Sequence, residues 1–308
     1  MATHPEVIHG SARYPRPSPG PVLTIGNFDG VHRGHRVLID RAVAVARASA
    51  RPACVYTFHP APRDVLRPGN PVLRIQTLED RVAALGEVGV DQVVVEPFDH
   101  DFAARSARSF AEDILRDRLG VSALVVGWDF RFGKGRTGRV EDLRDWLGIP
   151  VEQIAPHAPE GEVISSSRIR EAVRNGRVEE AAELLGRPHQ VVGEVGHGDA
   201  RGHGLGFPTA NITPETALLP ADGVYVVRVD LGDGDLRPGV ANLGTRPTFE
   251  GEGRRLEVHL LDWSGELRGR RVRVHLVERL RDEQAFPSRE ALVAQIRSDV
   301  AAARERLS

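Results

Sequence analysis

The 308-residue chain has a single cysteine, Cys54, so no intramolecular disulfide can form and a cysteine-rich metal site is excluded. Its flanking stretch, "RPACVYTF", reads as a buried strand, which makes Cys54 a structural thiol. Long apolar runs are also missing. No stretch approaches the ~18 apolar residues of a transmembrane helix, and the opening "MATHPEVIHGSARYPRPSPG" lacks an apolar core of signal-peptide length. A cytoplasmic protein without a membrane partner is therefore expected. Nor does one sign of charge dominate. The formal net charge is -2, so no global basic field points to nucleic acid. Arginine greatly outnumbers lysine, but the arginines are spread along the chain.

What is present falls into two textures. In the first, short apolar runs ("PVLTIG", "ACVYTF", "DQVVVEPF", "SALVVG") alternate with helical patterns. "GHRVLIDRAVAVARASA" carries Val37, Leu38, Ala42 and Val45 at helical spacing, and "TLEDRVAALGEVGV" opens on Thr77 with Asp80 three residues on. "SARSFAEDILRDRLG" is a third helix, closed by Gly120. Fully apolar strands separated by helices indicate βαβ units and a doubly wound, Rossmann-like parallel sheet. Ligands of such sheets bind at the carboxyl ends of the strands. Gly26, Phe58, Phe98 and Gly127 stand at those ends.

From Gln190 onward the pattern alternates: "VYVVRVDL", "RLEVHLLD" and "RRVRVHLVERL" are separated by Gly-, Pro- and Asp-rich turns. That is an antiparallel β-barrel pattern. A terminal helix follows, with Ser288 as N-cap and Leu292, Ile296 and Val300 on one face. The change of texture near Gly186–Pro188 suggests two domains, 1–186 and 187–308.

Four segments carry polar chemistry. "GNFDGVHRGH" places Gly26, Phe28, Asp29 and Gly30 after a strand, then His32 and His35 near a helix start. There free N–H groups and the helix dipole favour an anion. The residues alone fit a phosphate cradle, a glycine-rich turn with exposed histidines, or part of a zinc site whose third ligand has no convincing spacing. "WDFRFG", with Asp129 and Phe132, fits stacking on a planar ring or ordinary core packing. "SSSRIR", with Ser166, Ser167 and Arg168, fits a phosphate cradle or simple N-capping. "GDARGHGLGFPTANI" has side-chain-poor glycines, Gly202 among them. Phe207 follows, then Thr209 and Asn211, oxygen donors of the kind Mg²⁺ accepts, unless the segment is a strand entry with an Asx turn. Glu257, between Leu256 and Val258, faces away from both, toward a pocket or toward solvent.

Taken in order, these segments resemble the bacterial bifunctional riboflavin kinase/FAD synthetase family, whose N-terminal module is a nucleotidyltransferase. "GNFDGVHRGH" is similar to its G-x-F-D-G-x-H-x-G-H signature, and "TFHPAPRDVLRPG", "VGWDFRFGKGRTG" and "ISSSRIRE" to three further loops. "GLGFPTAN" is similar to the riboflavin kinase motif, and the likeness runs from about Val22 to Arg304. It implies a kinase that makes FMN from riboflavin with ATP and Mg²⁺, and an adenylyltransferase that makes FAD from FMN. The resemblance puts His32, His35, Ser166, Ser167 and Arg168 at nucleotide phosphates, and Asp129 and Phe132 at the nucleotide and flavin sites. Thr209 and Asn211 fall at metal and phosphate, Glu257 at the catalytic base, and Arg281 in the segment closing over the flavin. Small molecules are the expected partners, with no nucleic acid, and the chain is expected to be a monomer or weak homo-oligomer. One departure stands out. Where the family has P-H-P, this chain reads "PAP", with Ala61 for the histidine. An intact kinase beside a weakened or redirected N-terminal module is the alternative that this departure raises.

Overall fold

Six short strands pair in parallel, and the four central ones are apolar on both sides and must be covered on both faces. The six are β1 (Glu6–His9), β2 (Val22–Ile25), β3 (Ala53–His59), β4 (Gln92–Pro97), β5 (Ala123–Gly127) and β6 (Val151–Ile154), in the order β1-β4-β3-β2-β5-β6. The computed structural model describes residues 4–15, 19–196, 206–248 and 251–308. Its contacts separate Met1–Val72 with Leu78–Ser165 from Leu73–Thr77 with Ser166–Ser308.

In the first unit the alternation within each strand decides which helices cover which face. Val22, Val55, Val93 and Val125 pack with Leu38, Ile39 and Ala42 of α1 (Arg33–Ala48) and with Leu85 of a later helix, Leu78–Glu87. Leu23, Cys54, Tyr56, Val94 and Leu124 pack on the other side with Phe110, Ile114 and Leu115. The sheet is thus doubly wound. Cys54 is buried, and burial pushes its thiol well above the usual range. The expected helix over Ser106–Gly120 is present, but it winds as a π-helix from Phe110 to Arg118. β1 and β6, the two edge strands, carry Glu6, His9, Glu152 and Gln153 in place of an apolar run, so no strand pattern is readable there. β1 is held by its partner strand and by Glu96, which accepts from Ser11 N–H (2.7 Å) and from the Tyr56 hydroxyl (2.6 Å).

The second unit begins with two helices, Ser166–Arg174 and Val178–Leu185. It continues through β7 (His189–Val195), β8 (Ala210–Pro214), β9 (Gly223–Asp230), β10 (Leu236–Thr248), β11 (Gly251–Leu260) and β12 (Arg271–Arg281). These strands close an antiparallel barrel in the order β10-β11-β8-β7-β12-β9. Inward side chains such as Val191, Tyr225, Val227, Ala241, Leu256, Val258 and Val274 fill it. Val178 joins that cluster, so the helix it starts counts with the barrel even though the sequence texture changes later, near Gly186–Pro188. The terminal helix, Arg289–Leu307, is capped by Ser288, whose hydroxyl accepts from Ala291 N–H at 3.2 Å.

His275, on the outer side of β12, gives the barrel a pH dependence. Burial first, then the nearby Arg273, hold its ring down at about 4, with Asp230 opposing and Arg187 adding to the effect. Its Nδ1 lies 3.3 Å from Gln190 Nε2, a contact suited to the neutral ring. Between pH 4 and 6.5 the unfolded chain then binds the extra proton. Stability is complete above about 6.5 and should fall by roughly 2–3 kcal/mol as the pH drops toward 4. Urea unfolding at pH 7.5 and 5 checks this, with His275→Gln expected to flatten the dependence. An unchanged slope in that variant would assign the acid sensitivity elsewhere.

Candidate functional site

In the sheet of the first unit, the chain runs outward from β2 through β3 to β4, then returns to the other flank of β2 with β5. The strand order therefore reverses between β2 and β5, and sheets of this kind take ligands beside the carboxyl ends at such a reversal. The loops leaving those two strands are "GNFDGVHRGH" and "WDFRFGKGRTG".

The first loop is tightly wound. Phe28 (φ 47°), Gly30 (φ 94°) and Val31 (φ 39°) all take left-handed backbone, which is costly for an aromatic and a β-branched residue. Burial of Phe28 and Val31 holds them there. A Cβ at Gly26 would lie 2.9 Å from the Phe28 ring, so the strand can end against that ring only as glycine. From outside the loop, Arg81 donates to the Asn27 carbonyl at 2.6 Å and the Thr57 hydroxyl donates to it at 3.4 Å. Asp29 is buried within it.

His32 is the N-cap of α1: its Nδ1 accepts the His35 N–H at 3.2 Å. A neutral His32 ring then carries its proton on Nε2, a donor. The His35 ring stacks on it at 3.5 Å and 18°, and Phe28 meets His35 edge-on at 5.2 Å. His32 is almost fully buried and His35 half-buried, so the picture of a plain turn with exposed histidines does not fit. Among the described residues no group of three or more His, Cys, Asp or Glu stands as a metal site. The arrangement offers imidazole donors and a helix start, suited to an anion.

In the second loop Phe132 is buried between Phe110 (5.8 Å), Phe130 (5.7 Å, stacked) and Trp146 (6.4 Å), which is core packing. Asp129 is exposed. Trp128, 52% exposed, is the large aromatic that the loop leaves uncovered, and the sequence reading passed over it. Ala61 is buried as the N-cap of the short helix Pro62–Leu66, while His59 is exposed. Ser166, Ser167 and Arg168 open the first helix of the second unit, where Arg168 pairs with Glu180 at 3.6 Å.

The second unit has a cavity of about 290 Å³ on the outer side of the barrel. That is the small end of the range for ligand pockets. Phe207, Thr209, Glu257 and Arg281 line it, as do Asn242 and His259. Strand alternation explains the gathering. Leu256 and Val258 fill the barrel, so Glu257 faces out. In register, Glu257 lies opposite Asn242 of β10 on one side and Asn211 of β8 on the other, and opposed residues share a face. Asn211 therefore stands in the same row without lining the cavity itself. His259 fastens the approach segment: its Nδ1 donates to the Pro208 carbonyl at 2.8 Å, and Phe207 packs edge-on at 5.5 Å. Asn242 donates to Glu283 at 3.3 Å. Neither Asn242 nor His259 was singled out from the sequence, though the period-two pattern that turns Glu257 outward also turns them. Gly202 lies outside the described residues.

Comparison with known proteins covers both units. A family model described as FAD synthetase matches residues 15–168, and one described as Riboflavin kinase matches residues 185–307. A bifunctional riboflavin kinase/FMN adenylyltransferase of Pseudomonas fluorescens is 43% identical, over 92% of this chain and 92% of its own. The protein of that description from Escherichia coli K12 is 42% identical over 94% and 93%, and that from Bacillus subtilis 35% over 90% and 90%. A solved structure described as a macrolide-efflux protein from Streptococcus pneumoniae is 33% identical. It superposes with a TM-score of 0.88 over 97% of this chain and 98% of that one. Among the described residues no helix is long and apolar enough to cross a membrane.

The support given to Asn27 can be tested alone. Arg81→Met removes a buried, charge-assisted hydrogen bond and should lower stability by about 2 kcal/mol. It should also weaken ATP binding by the first module, because the left-handed loop loses its brace. Urea unfolding and nucleotide titration read the two effects; an unaltered ATP affinity would show that the loop holds its shape without Arg81.

Proposed function

The chain belongs to the bifunctional riboflavin kinase/FMN adenylyltransferase family, and we propose that it carries out both reactions, each in its own module. In the first, the riboflavin 5′-hydroxyl attacks the γ-phosphorus of ATP and ADP leaves, giving FMN. In the second, a phosphate oxygen of FMN attacks the α-phosphorus of another ATP and pyrophosphate leaves, giving FAD. We assign the kinase to 187–308 and the adenylyltransferase to 1–186.

The observation that carries the kinase reading is one cavity lined by both Thr209 and Glu257. An alcohol is a poor nucleophile until its proton is taken, and Glu257 supplies the acceptor on the cavity wall. Mg²⁺ fits the donor set: the Thr209 hydroxyl and the Asn211 amide oxygen are hard oxygen ligands. We assign both to it, and when bound the ion would neutralise charge on the transferred phosphate. For the adenylyltransferase, His32 and His35 would donate to phosphate oxygens as charge develops in the transition state. Gly26, Phe28, Asp29 and Gly30 shape the loop that lets them do so. The resemblance assigns Ser166, Ser167 and Arg168 to phosphates, and it assigns Asp129, next in sequence to the exposed Trp128, to the nucleotide and flavin. Phe132 supports that loop from the core. A cytoplasmic protein, active as a monomer or weak homo-oligomer, completes the reading.

Two variants separate the sites. Glu257→Ala should lower FMN formation by about 10²–10⁴-fold while FMN-to-FAD conversion persists, and His35→Ala should do the reverse. Flavins are separated by chromatography after incubation with ATP and Mg²⁺. Loss of both activities from either change would contradict separate sites. The wild-type chain, given FMN and ATP, should yield FAD with pyrophosphate despite Ala61; unchanged FMN would reopen the identity of the first module's substrate.

A further inference from the structure

Arg281 lines the barrel cavity, yet each of its guanidinium nitrogens is already engaged. Nε donates to the two oxygens of Asp299 at 3.1 and 3.2 Å, and Nη2 donates to Oδ2 of the same carboxylate at 2.8 Å. Nη1 donates to the Asp282 carbonyl at 2.9 Å. Asp299 is only 6% exposed and takes a further bond from Gln295 on its own helix, at 2.9 Å. The guanidinium carbon sits 5.7 Å from the centroid of the Phe286 ring. The end of β12 and the terminal helix are thereby joined through one largely buried ion pair beside the cavity.

An arginine recognises phosphate with the same planar fork that it uses for a carboxylate. Here the Nε–Nη2 fork is taken. A phosphate could claim it only by leaving Asp299 buried without its counter-charge, which is strongly unfavourable. Beyond that fork Arg281 keeps one N–H on each terminal nitrogen and its flat face, which stacks well on aromatic rings. The apolar side chains of Phe286, Leu292, Ile296 and Val300 line the same cavity, as a planar ring requires and a polyphosphate does not.

We propose that Asp299 is a positioning residue for riboflavin: it fixes the Arg281 guanidinium at the cavity wall, where its face serves as a stacking surface for the ring system, and it withholds the Nε–Nη2 fork from phosphate. This rests on the cavity being the kinase site. The pair acts on the ring end of the substrate, and Glu257 on its hydroxyl end.

Steady-state riboflavin phosphorylation by the full chain tests this with Asp299→Asn, Asp299→Glu and Gln295→Ala. Asp299→Asn should raise the KM for riboflavin about three- to tenfold, the size of one lost stacking contact. Its kcat and its KM for ATP should stay within about twofold, since the phosphate end is untouched. Asp299→Glu, which keeps the carboxylate, should recover part of the loss. Gln295→Ala should move the KM for riboflavin in the same direction by less, and it carries the test if Asp299→Asn does not fold. A rise confined to the KM for ATP would overturn the proposal and make Arg281 a phosphate ligand. A lower melting temperature with both KM values unchanged would overturn it in favour of a purely structural pair. Glu257→Ala, assayed alongside, tests the underlying reading: if that variant phosphorylates riboflavin at an undiminished rate, the cavity is not the kinase site, whatever Asp299 does.

Discussion

Both sites are placed by how β-strands present their residues. A parallel sheet delivers all its carboxyl ends to one edge, so loops distant in sequence leave from the same edge, and the strand order reverses beside β2, where sheets of this kind take ligands. An antiparallel barrel must fill its interior with every second side chain, so the intervening ones are turned outward whatever their chemistry. Glu257 sits on the cavity wall because Leu256 and Val258 cannot be anywhere but inside. The closed barrel also has no free edge, which leaves its outer side available for a ligand and for the terminal helix that walls it.

How much of this was legible in the sequence follows from that rule. Period-two alternation around Glu257 and the apolar runs at Val22–Ile25 and Ala123–Gly127 are local patterns, and they gave the two architectures and the loops that carry chemistry. Partners fixed by register are not local. Asn242 lies opposite Glu257 only because β10 and β11 pair as they do, and no spacing along the chain announces it. Arg81 reaches Asn27 across 54 positions, and Glu96 reaches Ser11 across 85, so the braces of both the glycine loop and β1 were invisible. "WDFRFG" was ambiguous for a different reason. Phe132 and Trp128 belong to the same loop, but one joins the core and the other the surface, a choice made by packing against Phe110 and Trp146.

The glycine loop also shows what burial is used for at a site. Two residues that disfavour left-handed backbone, Phe28 and Val31, adopt it and are among the most buried side chains of the unit. Strain of this kind persists only where the surroundings over-determine the conformation. The Phe28 ring meets both the glycine that ends β2 and the imidazole of His35, so one aromatic sets where the strand stops and how the second histidine lies. Pre-organised donors need no rearrangement as charge develops on a ligand, which is where electrostatic catalysis draws its strength.

The two reactions make different demands, and the two sites differ accordingly. A hydroxyl attacking phosphorus must lose a proton, so the cavity proposed for the kinase needs a carboxylate within reach, and Glu257 lines it. A phosphate monoester at neutral pH has already lost its proton and attacks as it is. A carboxylate base would add nothing there and would repel the polyanion. The loop after β2 instead sets imidazoles at the positive end of a sixteen-residue helix, with its one carboxylate, Asp29, turned into the buried interior of the loop. On the proposed assignment, the product of the base-assisted reaction is the pre-ionised nucleophile of the other, which accounts for a carboxylate site and an imidazole site rather than two copies of either.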